Sequence, residues 1–101
     1  MTLPPCIVVP AGHIAEVCRK YRVLELSVFG SASRGHMRPD SDIGLLVEFQ
    51  PDAGIGLFEF AQLELDLAAL LGRRVDLVSK RGLKPRIRPD VLNDAKLLYA
   101  A

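Results

Sequence analysis

A chain of 101 residues with 50% hydrophobic side chains is sized for one compact domain around a single core. Its net charge of +1, with 25% charged residues, builds no field that would select duplex nucleic acid or an anionic membrane surface, so a nucleic-acid partner is unsupported. Cys6 and Cys18 are too few and too far apart for a disulfide framework, a zinc knuckle or a redox pair, which predicts free thiols in a reducing cytoplasm.

The chain starts with MTLPPCIVVP, which has three prolines and no basic leader, and whose apolar runs are too short for a signal peptide or a membrane span. Residues 1–10 are expected to be an extension and 11–101 the folded domain. In GHIAEVCRKYR the positions Ile14, Val17, Cys18 and Tyr21 fall at offsets of three, four and seven, the spacing of an amphipathic helix with one buried face. VLELSVF (23–29) and DIGLLVEF (42–49) are rich in β-branched and aromatic residues and predict strands. The polar segment between them is broken by Gly30, Gly35 and Pro39, and a short helix is expected to open after Ser31. GLFEFAQLELDLAALLG predicts a long helix stopped by Gly72, and RRVDLVS a third strand, expected beside the first. RPDVLNDAKLL reads as a last helix started by Pro89, and LYAA as an edge strand. The predicted class is α/β (α+β), a small mixed sheet with helices packed against it.

The chemistry concentrates in VFGSASRGHMRPDSDIGLLVEF. A strand that ends in Gly30-Ser31 and opens a helix suits a phosphate, because glycine lets the backbone approach closely and the helix amino terminus favours an anion. Asp42 begins a strand that is otherwise nearly all apolar. Alternation along that strand puts residues 42 and 44 on one side, where an Asp-x-Asp pair would hold a divalent metal. Asp76 sits between Val75 and Leu77 in the third strand, and a carboxylate buried there is costly unless a cation or hydrogen bonds compensate it. Arg34 and Arg38 are placed to reach phosphates. His13 and His36 lack the spacing of metal ligands.

Gly30-Ser31, ten intervening residues, Asp42, then LLV, and some thirty residues later LLGRRVDLVS resembles the minimal nucleotidyltransferase (MNT) family of the polymerase-beta superfamily. The resemblance runs from about residue 11 to the carboxyl end. It implies a polymerase-beta-like fold and a magnesium-dependent transferase that moves AMP from ATP to an acceptor, in several members a tyrosine of a partner HEPN-domain toxin. It further implies two magnesium ions held by acids at the positions of Asp42, Gly44 and Asp76, with Gly30 and Ser31 holding the triphosphate; Arg34, by its reach to phosphates, is expected to join them at the nucleotide.

Gly44 departs from that pattern. A bulge or a close helix contact is the bland explanation; the sharper one is an attenuated site that keeps the fold and ATP but loses most transfer. Asp40 follows Pro39 in the turn and is a poor substitute. Glu48 shares the parity of 42 and 44 but lies about 13 Å from Gly44 at roughly 3.3 Å per residue. The alternative function is an inactive module binding ATP or a partner on the same fold. SKRGLKPRIR suggests an acidic or phosphate-bearing partner. On the long helix, Phe60, Leu63, Leu67 and Leu70 form one apolar arc and Phe58, Ala61, Leu65, Ala68 and Ala69 another. One arc suffices for a core, so the second is expected to meet a HEPN toxin or a second copy of helix 57–71.

Overall fold

The computed structural model describes residues 11–29, 42–83, 85–86 and 88–101. Helix α1 (Ala11–Lys20) leads into strand β1 (Val23–Phe29), then β2 (Ile43–Phe49), α2 (Leu57–Leu71), β3 (Val75–Ser79), α3 (Arg88–Asp94) and β4 (Lys96–Ala100). The strands form one mixed sheet in the order β3-β2-β1-β4. Two antiparallel pairings, β1 with β2 and β1 with β4, flank the centre, and α2 crosses over so that β3 lies parallel to β2. No helix among the described residues is long and apolar enough to cross a membrane.

Alternation divides the sheet into two faces. Leu26 and Val28 of β1, Ile43, Leu45 and Val47 of β2, and Val75 and Leu77 of β3 point to the covered face and are buried. Against them α1 sets Ile14 and Cys18, and α2 sets Leu63, Leu67 and Leu71, each series at helical spacing. The turn from α1 to β1 places Arg22 in the left-handed region at φ 58. Its carbonyl accepts from the Gln50 amide at 3.0 Å and its guanidinium meets Asp52 at 3.1 Å, so contacts from the far end of β2 hold it there. The first turn of α2 is closed by Glu59, whose carboxylate accepts from the Gly56 amide at 2.8 Å. Its last turn ends on Gly72 at φ 66, a conformation that glycine adopts without a Cβ penalty.

Two expectations are corrected. The third strand lies beside the second, not beside the first, because the covered faces of β2 and β3 come into parallel register under α2. The last helix stops at Asp94, and Lys96–Leu98, expected to continue it, instead belong to β4. Pairing with β1 captures those residues, since ladder bonds outweigh the few tenths of a kcal/mol by which such side chains prefer a helix. The short helix expected after Ser31 lies outside the described residues.

Candidate functional site

The candidate site is on the sheet face away from α1 and α2, at the end where β1 finishes. Phe29, the last residue of β1, is paired with Gly44 of β2, and Gly44 is in turn paired with Asp76 of β3. Residues directly paired across strands project on the same side, so these three form one row on the more open face. Asp42 precedes β2 and shares the side of Gly44. Its Oδ1 lies 3.2 Å from Nε of Arg74, the residue just before β3, while the Ile43 amide donates to the Arg74 carbonyl at 2.9 Å. Both partners are well exposed, at 84% for Arg74 and 52% for Asp42, so the pair positions more than it stabilises. Asp76, expected to be a buried carboxylate, is exposed because its side of β3 is the more open sheet face, so no desolvation cost there calls for a cation.

Gly44 is not bulged, and among the described residues no helix stands against it, so the bulge is excluded, while a contact from the segment after Ser31 lies outside the described residues. The one register shift between β1 and β2 lies between Val23 and Glu25, at the other end. What Gly44 touches is the ring of Phe29: a Cβ added at 44 would stand 3.0 Å from Cζ and 3.1 Å from Cε2. An aromatic ring laid over a cross-strand glycine supplies the packing that the glycine cannot. The place of a carboxylate stem is therefore taken by an aromatic edge, which must yield a few tenths of an ångström to admit one.

Further along the same face, Glu25 and Glu48 are cross-strand partners, and Lys80 Nζ stands 3.3 Å from Glu48 Oε1. This pairing places Glu48 in a separate cluster at the far end of β2. With Ser27, Leu46 and Leu92 these groups line a small hollow of about 190 Å3. Periodicity alone did not single out Glu25 or Arg74; only the register brings them to this face. The other predicted binding residues, Gly30, Ser31 and Arg34, lie outside the described residues, as do His36, Arg38 and Asp40.

The donor set can be tested against magnesium. Asp42 and Asp76 on one open face suit one hard cation, which is commonly bound by one or two carboxylates plus the phosphates of a substrate. Among the described residues no group of three His, Cys, Asp or Glu side chains converges, so the third acid that a second ion would need is not supplied from them.

Comparison with known proteins identifies the family and the fold. The nucleotidyltransferase domain family matches residues 11–98. The protein adenylyltransferase MntA of Thermococcus cleftensis is 40% identical over 94 residues, covering 93% of each chain. A solved structure described as a minimal nucleotidyltransferase is 44% identical with a TM-score of 0.73, covering 85% of this chain and 86% of its own. A chain from the complex of a tri-AMPylated Shewanella oneidensis HEPN toxin with an MNT antitoxin shares the fold at 22% identity and a TM-score of 0.65, covering 90% of this chain and 70% of its own.

Proposed function

Because this chain belongs to the nucleotidyltransferase domain family, in its minimal nucleotidyltransferase group, we propose that it is an antitoxin that transfers AMP from ATP to a tyrosine of a partner HEPN toxin, with the transfer attenuated at Gly44. The observation that carries this reading is the row Phe29, Gly44 and Asp76 with Asp42 beside it, on an open face at the end of β1 where the chain continues into Gly30-Ser31. Gly30, Ser31 and Arg34 bind the triphosphate. Asp42 and Asp76 would hold a magnesium ion, and the chemistry such an ion would supply there is neutralisation of phosphate charge. The acceptor oxygen bonds to the α-phosphorus and pyrophosphate leaves. The buried thiol of Cys18 fits a reducing cytoplasm.

A second reading, a module that binds ATP and partner without turnover, is favoured by one specific observation, the Phe29 ring over Gly44. The two separate in one assay. The chain, Gly44→Asp, and Gly44→Asp combined with Phe29→Leu are incubated with ATP, magnesium and a purified HEPN toxin, and AMP on the toxin is followed by mass. Restoring a metal ligand is expected to raise transfer by tenfold for each ~1.4 kcal/mol of transition-state stabilisation regained, most fully where Phe29 no longer crowds the new side chain. Asp42→Ala in the restored background should abolish the gain. Equal transfer by the unaltered and restored chains would remove Gly44 as the lesion. No transfer by any of them, with ATP binding intact, would favour the binding module.

A further inference from the structure

Asp42 and Asp76 are held in different ways. The Asp42 carboxylate is engaged directly, by Arg74 at 3.2 Å. Among the described residues no hydrogen bond or ion pair engages the carboxylate of Asp76. Its place therefore rests on the backbone of β3, and β3 is an edge strand in the order β3-β2-β1-β4. The ladder to β2 secures one side of that strand. Its other side faces no neighbouring strand, so the backbone groups there need partners of another kind.

One such partner comes from α2. Leu77, the residue after Asp76, donates its backbone N–H to Oε2 of Glu64 at 3.1 Å. Glu64 is half-buried beside the buried arc of α2, between buried Leu63 and exposed Leu65. The bond is partly buried and its acceptor is charged, which makes it stronger than a bond between neutral groups. A planar trans peptide points its C=O and its N–H in opposite directions. The plane that joins Asp76 to Leu77 thus turns its N–H to Glu64 and its C=O toward β2, where Asp76 is paired with Gly44. That plane includes the Asp76 Cα, and it is gripped from both sides. With Glu64 removed the grip is one-sided, and the plane can tilt about the ladder and carry Asp76 away from Asp42. The support behind Glu64 is firm, because Leu63, Leu67 and Leu71 anchor α2 in the core.

The geometry points to Glu64 as a positioning residue for the metal-binding pair: it clamps the outer edge of β3 and so keeps Asp76 in fixed relation to Asp42. The inference rests on the reading that these two carboxylates hold magnesium. That ion demands near-octahedral coordination, and a constellation of ligands has to be held within about 0.5 Å of its productive geometry. A carboxylate on an unclamped edge strand has no such constraint. Glu64 acts through Asp76, since its own carboxylate is taken up by the Leu77 amide. In the sequence Glu64 only interrupts the apolar run of α2, and the strand edge supplies the reason for it.

The test compares the full chain with Glu64→Gln, Glu64→Ala and Tyr21→Phe. The last is the control for lost stability, since it removes another bond to α2, that of the Tyr21 hydroxyl to Asp66 Oδ2 at 2.7 Å, without touching β3. Two readouts are taken, neither of which needs turnover. Hydrogen exchange of the Leu77 amide, read against that of Leu45 inside the sheet, reports the clamp. Titration with Mn2+, a paramagnetic stand-in for Mg2+, reports the site through broadening of the Asp42 and Asp76 amides. Glutamine keeps an acceptor oxygen for the Leu77 amide, so Glu64→Gln should leave Leu77 protected and bind Mn2+ like the unaltered chain. Glu64→Ala should lose the protection, and its Mn2+ affinity should fall on the order of tenfold, as when a partner that orients a metal ligand is removed. Tyr21→Phe should change neither readout. Unchanged affinity in Glu64→Ala would overturn the clamp, as would an equal fall in Glu64→Gln, which would assign the effect to charge, or in Tyr21→Phe, which would assign it to general loosening. If Mn2+ broadens neither amide in the unaltered chain, the metal reading falls and the inference with it. If it broadens both alike in all four chains, the metal reading stands and the clamp alone falls.

Discussion

The decisive residue on the site face is Phe29, because its ring gives Gly44 a structural role independent of catalysis. Substituting Gly44 alone therefore tests two things at once, a gained carboxylate and a displaced ring. Gly44→Asp is expected to cost stability of the order of 1–3 kcal/mol typical of overpacking, and Phe29→Leu in the same chain should recover part of it, as thermal melts of the two variants would reveal. Identical melts would mean that the ring rotates freely out of the way. A second residue-scale contact ties α1 to α2: the Tyr21 hydroxyl donates to Asp66 Oδ2 at 2.7 Å. That bond is the main cause of the lowered Asp66 carboxyl pKa; burial opposes it, and Gln62 and Lys20 add to it. Burial first, then the bond to Asp66 and its charge, push the Tyr21 hydroxyl up to about 12 from 10.0. Tyr21→Phe should cost ~1.5–3 kcal/mol, as expected for a hydrogen bond to a charged group. A depressed carboxylate stabilises above its unfolded pKa and ceases to do so as pH falls through its folded value, so the gap between wild type and variant should close in acid. A raised phenol stabilises fully below pH 10 and less as pH climbs through about 12, so the gap should close at the alkaline end too. A gap independent of pH would show that packing, not the bond, accounts for the loss.

At the scale of the element, α2 presents two apolar arcs with opposite fates. Leu63 is fully buried against the sheet, whereas Leu65, two residues on, is 63% exposed. Leu63→Ala is expected to cost ~2–5 kcal/mol, the range for deleting a buried leucine side chain, while Leu65→Ala should stay within about 0.5 kcal/mol of wild type. Denaturant midpoints would decide it, and comparable losses at both positions would mean that Leu65 is covered in solution. The exposure of Phe58 and Leu65 removes the alternative that α1 covers this arc; α1 packs against the core side, through Ile14 and Cys18. Helix and strand limits followed local signals closely where caps exist, as at Gly72 in its left-handed conformation. They failed at Lys96–Leu98, where no cap marks the boundary and the partner strand lies some seventy residues earlier in the chain.

For the molecule as a whole, Cys18 reports on global opening. The thiol is completely buried between α1 and the sheet, and burial, only partly offset by the charge of Arg19, pushes it up to about 11 from 9.0. Thiol reagents should label it only through unfolding, so Leu63→Ala should accelerate labelling by the same factor as it raises the unfolding equilibrium, whereas Leu65→Ala should not; rapid labelling of the native chain would show that the α1 contact opens locally. The sequence by itself determined the elements with strong period and clear stops and the buried faces of α1 and of α2, because each depends on residues a few positions apart, whereas the row shared by Gly44 and Asp76 comes from strand pairing. It could not determine that β3 lies beside β2, that Phe29 roofs Gly44, that Arg74 meets Asp42, that Tyr21 bonds Asp66 across 45 positions, or that Glu64 reaches the Leu77 amide at the edge of β3. Those depend on register and packing between distant segments, where many pairings are compatible with the same local pattern and only the shared burial of β2 and β3 under α2 selects one.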